Sequence, residues 1–234
     1  MINNSKVIAL IPARAGSKGI KGKNMRYLCG SPMLDYTLKA ASEALSIDEV
    51  YLSSDSDEML DRAKLYCVKP LKRPTHLCLD DSSAYEVVEH FISEILNNKL
   101  DEDVYLIYLQ PTSPLRTSHH IDDAVHKMTT EGFNSLVSVV ETEKSPFKSF
   151  VINAEGAIEA LFDEKLSNQC RQNLPKAYFP NGAIYIFTIS QFLSRQGFPS
   201  NGSYPYIMSQ LDSVDVDTES DLAKVENYLR SING

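Results

Sequence analysis

Four cations, Arg14, Lys18, Lys21 and Lys23, fall within ten residues of one segment, Ile11-Pro12-Ala13-Arg14-Ala15-Gly16-Ser17-Lys18-Gly19-Ile20-Lys21-Gly22-Lys23-Asn24. Like charges that close repel one another unless an anion joins them. Three glycines at i, i+3 and i+6 let the backbone approach such a ligand. A triphosphate would fit; the alternative is a surface turn of solvated lysines. The spacing matches neither the Walker A cradle nor the G-x-G-x-x-G dinucleotide fingerprint.

A second candidate is Val214-Asp215-Val216-Asp217-Thr218. On an extended chain Asp215 and Asp217 share a face, about 7 Å apart at Cα, and could clasp one hydrated cation. Asp217 could instead cap the helix that follows. In Gln110-Pro111-Thr112-Ser113 an amide and a hydroxyl could read a base or a sugar; a proline-fixed turn is the competing account. Arg73 and Arg171 read as solvated surface arginines, and His119-His120 as exposed, without a catalytic role.

These residues need a scaffold, and the pattern supplies one. Val7-Ile8-Ala9-Leu10-Ile11 reads as a buried strand that opens directly into the basic loop. An amphipathic helix over 33–45, a strand over 49–53 and a helix over 57–66, capped by Ser53-Ser54-Asp55, come next. Asp80-Asp81-Ser82-Ser83 caps a helix running to about residue 97. A strand over 104–109, a helix over 119–130 and a strand over 135–140 follow. The alternation implies a Rossmann-like, doubly wound, mostly parallel α/β sheet. It stops over about 141–180, which reads as a small β-rich insert suited to dimerisation or to closing a site. A strand over 183–187 and a helix over 218–229 complete the single domain of 1–234. Ligands of such sheets sit beyond the carboxyl ends of the strands, so the basic loop, Ser53-Ser54-Asp55, Gln110 to Ser113 and Asp215 to Asp217 should line one cleft.

Composition narrows the class. The first 34 residues hold six Lys/Arg and no acid, although the whole chain carries −8, so the basic loop is a local feature of an acidic protein. That balance argues against a nucleic-acid partner. No apolar run approaches the roughly 20 residues of a membrane helix, and no signal-peptide pattern is evident. Cys29, Cys67, Cys78 and Cys170 are scattered, without zinc spacing. A soluble, cytoplasmic protein is expected.

Together these segments resemble the acylneuraminate cytidylyltransferase family, the CMP-sialic acid synthetases. The basic loop looks like the signature nucleotide-binding loop of that family. Ser53-x-Asp55, Arg73-Pro74, Leu109-Gln110-Pro111-Thr112-Ser113-Pro114-Leu115-Arg116, Pro180-Asn181-Gly182-Ala183-Ile184-Tyr185 and Asp215-Val216-Asp217-Thr218 follow in the family's order. The resemblance implies a nucleotide-diphospho-sugar transferase type of fold and transfer of CMP from CTP to the anomeric hydroxyl of a nonulosonic acid, with release of pyrophosphate. It implies that Arg14, Ser17, Lys18, Lys23 and Asn24 hold CTP, and that Arg73, Ser83, Gln110 and Thr112 surround cytosine, ribose or the acceptor. Lys148 and Arg171 in the insert would meet the acidic sugar, from the same or a partner subunit of a homodimer. Asp215 and Asp217 would bind Mg²⁺ and assist deprotonation, with Lys23 and Arg14 completing the catalytic set. Where some sialic acid enzymes carry arginine this chain has Phe179, which suggests a less polar acceptor of the legionaminic or pseudaminic kind. A 3-deoxy-manno-octulosonate cytidylyltransferase and a non-catalytic nucleotide-binding protein are the alternatives.

Overall fold

The computed structural model describes residues 2, 5–17, 19–96 and 104–233. The first apolar run forms strand β1, Val7–Pro12. Successive side chains of a strand point to opposite faces. Val7, Ala9 and Ile11 accordingly join one hydrophobic cluster, while Ile8 and Leu10 join another. Both faces are covered, which is why this strand is continuously apolar rather than alternating.

A short hairpin, β2 (Tyr27–Leu28) and β3 (Ser31–Pro32), leads into helix α1, Met33–Ser42. Then come β4 (Glu49–Ser54), α2 (Asp57–Lys64), β5 (Lys69–Lys72) and α3 (Ala84–Leu96). Next are β6 (Tyr105–Tyr108), α4 (Ser118–Thr130) and β7 (Leu136–Glu141). An arm carries the hairpin β8 (Phe150–Ile152) and β9 (Ile158–Ala160) and a single helical turn, α5 (Glu164–Ser167). The chain returns as β10 (Tyr178–Thr188), α6 (Ile189–Arg195), β11 (Tyr204–Ile207) and α7 (Glu219–Asn233).

The main sheet has the order β11-β7-β10-β6-β1-β4-β5. Its pairings are parallel except those of β10, which runs against both neighbours. This is the mostly parallel, doubly wound sheet that the alternation implies. Helices α1, α2 and α4 pack on one face, α3 and α6 on the other. From β1 the chain steps outward through β4 and β5, then crosses back to β6 on the opposite side of β1. The order therefore reverses between β1 and β6, and the carboxyl ends of strands at such a reversal leave a crevice.

Several local expectations are corrected. Helix α1 stops at Ser42, leaving Leu45 in solvent. Helix α2 is capped by Ser56, whose Oγ accepts from the Met59 amide at 3.4 Å; Ser53 and Ser54 are buried at the end of β4 instead. Strands β5 and β11 were not anticipated. Each carries a proline and lies at a sheet edge, where a missing N–H donor is tolerated. The strand expected at 183–187 is the second half of β10, so the irregular arm spans 142–177 and contains one hairpin rather than extensive β structure. His120 is half-buried, and its Nδ1 accepts from the Thr117 amide at 3.3 Å in the capping box of α4. Helix α3 is described through Leu96; its expected end at residue 97 lies outside the described residues.

Candidate active site

A cleft of about 350 Å³ opens at the carboxyl ends of β1 and β6. It is lined by Arg14, Ser17, Lys23, Asn24, Arg73, Gln110, Thr112, Asp215 and Asp217 among others. Residues from four separate stretches of sequence thus share one wall. Lys18 lies outside the described residues. Ser83, Lys148 and Arg171 do not line the cleft.

The basic loop is held rather than free. Ala13 donates its amide to Ser53 O at 2.9 Å, and Ala15 donates its own to Asp55 Oδ1 at 2.8 Å. The side-chain amide of Asn24 donates to Arg14 O at 3.0 Å, closing the loop on itself. Asn24 is therefore a brace as well as a lining residue. Ile20 is buried in a small third core with Leu28, Met33, Leu115, Val216 and residues of α7. Gly19 is required by that packing: a Cβ there would stand 2.4 Å from Asp217 O.

Val216 does the same for the acidic pair. It is fully buried between Asp215 and Asp217, and its amide donates to Thr112 O at 2.8 Å. Residues 214–217 pair with no strand, yet Asp215 and Asp217 share one face as the i, i+2 spacing implies: both line the cleft, while Val216 between them is buried on the other side. Asp217 does not cap α7. Thr218 takes that role, its Oγ1 accepting from the Asp221 amide at 3.3 Å while Asp221 Oδ2 accepts from the Thr218 amide at 3.0 Å. Asp217 Oδ1 is left for Lys23 Nζ, at 2.8 Å. Asp215 accepts a hydrogen bond from the Thr112 hydroxyl. The low-water wall of the cleft, with the Asp217 charge beside it, nevertheless pushes the Asp215 carboxyl above the usual aspartate range. Two close carboxylates in such a setting suit a divalent cation. Among the described residues no cluster of three or more His, Cys, Asp or Glu side chains could hold a metal, so a cation would also need oxygens from water or a bound phosphate.

Arg73 corrects a surface reading. It is only 4 % exposed, its Nη2 donates to Ser53 O at 3.2 Å, and its Nε has no hydrogen-bond partner among the described residues. A guanidinium sunk into a cleft with a spare donor is a ligand-binding arrangement, and neighbouring Pro74 gave no hint of its depth. Arg116 is likewise sunk far deeper than a lone arginine usually lies. It is 2 % exposed, and its Nη1 donates to Gln110 O at 3.0 Å and Ala183 O at 2.8 Å while Nη2 donates to Thr37 Oγ1 at 2.7 Å. Among the described residues no carboxylate pairs with it, and burial drags its pKa down to about 9. It pins the turn that presents Gln110. Opposite lies Gly182, at φ +75°, where a Cβ would stand 2.3 Å from Gln110 Oε1. The irregular stretch of β10 around it is held by Asn181, which accepts from Ser138 Oγ at 2.6 Å and donates to Ser213 Oγ at 2.8 Å.

Ser83 caps α3 in a reciprocal pair with Glu86: its amide donates to Glu86 Oε2 at 2.7 Å, and its Oγ accepts from the Glu86 amide at 3.2 Å. Its neighbours Ser82 and Ala84 line the cleft in its place. Lys148 and Arg171 both sit in the arm. Lys148 donates to Ser167 O at 3.2 Å, and Arg171 is exposed.

A family model described as cytidylyltransferase matches residues 8–225, the region that contains every element of this cleft. The chain belongs to the cytidylyltransferase family. It is 34% identical over 227 residues to the N-acylneuraminate cytidylyltransferase of Streptococcus agalactiae serotype V, covering 96% of this chain and 53% of that protein. The chain thus spans about half the length of the first curated relatives it matches. It is also 34% identical over 233 residues to the CMP-N,N'-diacetyllegionaminic acid synthase of Legionella pneumophila, covering 96% of each chain. Among solved structures, a CMP:2-keto-3-deoxy-manno-octonic acid synthetase complexed with CTP superposes with a TM-score of 0.68, at 17% identity, over 97% of this chain and 100% of that one. That likeness shows a shared fold.

Proposed function

We propose that the chain transfers CMP from CTP to the anomeric hydroxyl of a nonulosonic acid and releases pyrophosphate. The observation that carries this reading is the meeting of the basic loop with the acidic pair. Lys23 and Arg14 reach from the loop, Arg73 from below, and Asp215 and Asp217 from the segment before α7. In the transfer the sugar oxygen bonds to the α-phosphorus, the bond to the pyrophosphate oxygen breaks, and the hydroxyl proton leaves to a base. Lys23 and Arg14 stabilise charge on the triphosphate as the leaving group departs. Asp215 and Asp217 would flank the attacking hydroxyl, and one of the two would take up its proton. Asp215, its pKa raised, is the better placed of the two to accept one. The same pair would hold Mg²⁺, which when bound offsets phosphate charge and fixes the triphosphate in line. Gln110, set between Arg116 and Gly182, orients the acceptor, so that much of the rate comes from holding the reacting atoms in register.

The acceptor is proposed to be a deoxy nonulosonic acid of the legionaminic or pseudaminic kind. Phe179 is 54% exposed on β10, two residues before Asn181, and presents an apolar ring where an arginine would favour a more polar substrate. The Legionella relative, matched over nearly its full length, is named for a legionaminic acid product. The arm leaves Phe150, Ile152, Ile158 and Phe162 in solvent. We take a second copy of the chain to cover them, as a homodimer in which Lys148 and Arg171 approach the partner's cleft. Among the described residues no helix is long and apolar enough to cross a membrane, and a cytoplasmic enzyme is the proposal. The test is pyrophosphate release with CTP and Mg²⁺ across N-acetylneuraminic, legionaminic, pseudaminic and 3-deoxy-manno-octulosonic acids. The highest kcat/KM is expected with a legionaminic or pseudaminic acid. Preference for N-acetylneuraminate would remove the Phe179 argument, preference for the octulosonate would move the chain to another acceptor class, and CTP binding without turnover on any acid would leave a non-catalytic protein.

A further inference from the structure

Among the described residues that line the cleft, three cations, Arg14, Lys23 and Arg73, face three carboxylates, Asp80, Asp215 and Asp217. The chemistry above uses two of those acids and leaves Asp80 without a role. Asp80 lies on the turn between the 3-10 segment Thr75–Leu77 and α3. Its Oδ1 stands 2.9 Å from Arg14 Nη2. The same guanidinium donates through Nη1 to Leu79 O at 2.6 Å and, less closely, to Cys78 O at 3.4 Å. Three successive residues of one turn therefore occupy the fork of an arginine that reaches into the cleft from the basic loop. The turn closes mainly on itself: Ser82 Oγ accepts from the Leu79 amide at 3.0 Å and donates to His76 O at 3.1 Å. Leu79 is left exposed at the cleft rim.

A guanidinium fork binds carboxylate and phosphate oxygens with the same geometry, so the two compete for it. We propose that Asp80 is a resident counter-ion for Arg14, a positioning residue that holds the 78–82 turn against the basic loop until a phosphate of the nucleotide takes its place. The inference rests on the reading of the cleft as a CTP site. Uptake of CTP is then an exchange of one anion for another on Arg14. Departure of pyrophosphate is helped by the return of Asp80. Both partners are partly exposed, so the pair opposes phosphate binding only modestly: its removal should tighten binding by about 2–5-fold.

The experiment is calorimetric titration of CTP, and separately of inorganic pyrophosphate, in EDTA, so that any part Asp80 plays toward a metal does not enter. Wild type, Asp80→Asn, Asp80→Glu and Asp81→Asn are compared. Asp81 is the adjacent acid and does not line the cleft. Asp80→Asn should bind both phosphates about 2–5-fold more tightly, while Asp80→Glu stays near wild type and Asp81→Asn gains nothing. In turnover assays Asp80→Asn should lower KM for CTP and leave KM for the acceptor unmoved, a split that a merely structural residue would not produce. Unchanged or weaker binding in Asp80→Asn overturns the proposal, and so does an equal gain in Asp81→Asn, which would reduce the effect to loss of general negative charge. Absence of CTP binding to the wild type is a separate result: it removes the CTP reading itself before any variant is compared.

Discussion

The rim of the cleft and the arm are both poor in regular structure, yet they are held in opposite ways. At the rim, apolar residues sit between the chemical ones and are buried: Ile20 within the basic loop, Val216 between the two aspartates, Leu115 after the Gln110 turn, all in one small core with α7. The Ala15 amide donating to the Asp55 carboxylate and the Val216 amide donating to Thr112 O hold these segments in place. In the arm Leu174 is buried, but most of the large apolar side chains face outward. Phe150, Ile152, Ile158 and Phe162 are all at least half exposed, and the Phe147–Phe162 ring contact is a local one. The rim carries its own core and is preorganised without a ligand. The arm buries little apolar surface of its own among the described residues, and that exposed surface is what the proposed second copy would cover.

The sharpest way to break this comparison is at the rim. Asp217→Asn should cut turnover on the order of 10²–10³-fold, the scale of removing one preorganised charged group, with the fold retained. Near-normal turnover would show that Asp217 has no chemical role. Asp215→Asn should do comparable damage while raising Tm at neutral pH. The sign follows from its raised pKa: the folded state holds that proton more tightly than the unfolded chain, so the stabilising contribution is present at low pH and lost as pH rises through the folded value. The uncharged amide no longer incurs that loss. A lowered Tm would mean that the Thr112 hydrogen bond outweighs the burial and repulsion of the charge.

The next effect concerns the arm. Ile152→Asp combined with Phe162→Asp should turn a dimer into a monomer by light scattering and lower kcat/KM for the acceptor about tenfold, the scale of one well-placed polar contact. CTP affinity should not change, since the arm residues do not line the nucleotide cleft. A monomeric wild type would erase the contrast altogether. A smaller change is expected from Gly182→Ala. The added methyl meets Gln110 Oε1 and the φ of +75° is strained for alanine, so KM for the acceptor should rise several-fold while CTP binding holds. An equal loss in both would mean that the substitution damages the sheet rather than the placement of Gln110.

The same contrast explains what was legible in the sequence alone. The sheet was legible because β1 and β6 are uninterrupted apolar runs with helices between them, and topology then fixed which loops meet. Arg14, Lys23, Gln110 and the acidic pair came together for that reason. The edge strands were hidden because Pro70 and Pro205 break the strand pattern, and at an edge that costs nothing. The depth of Arg73 and Arg116 was hidden because a lone arginine is usually at the surface, and only the folded backbone supplies the carbonyls that receive their donors. The valine of the acidic pair looked like spacing and turned out to be the anchor. Ser83 followed the family pattern into the nucleotide site by position, whereas local capping of α3 claimed its hydroxyl.

The smallest effect tests whether the rim depends on its own core or on the helix that follows it. Helix α4 begins directly after Arg116, and its capping box uses a neutral His120 as acceptor for the Thr117 amide. Burial holds the pKa of His120 below the ordinary histidine value. A base lowered in the folded state contributes stability that is full above its unfolded pKa of about 6.5 and is lost as pH falls through it. Replacing the cap with Thr117→Ala should cost about 1 kcal/mol, and Tm should fall by roughly 2–4 °C for a chain of this size. His120→Gln should flatten the part of the acid-side loss of Tm that belongs to this residue. If Ile20, Leu115 and Val216 hold the rim, CTP affinity measured above pH 7 should be the same in both variants as in the wild type. A parallel loss of affinity would mean that the Gln110 turn is positioned from α4, and that the rim is less self-sufficient than its buried residues suggest.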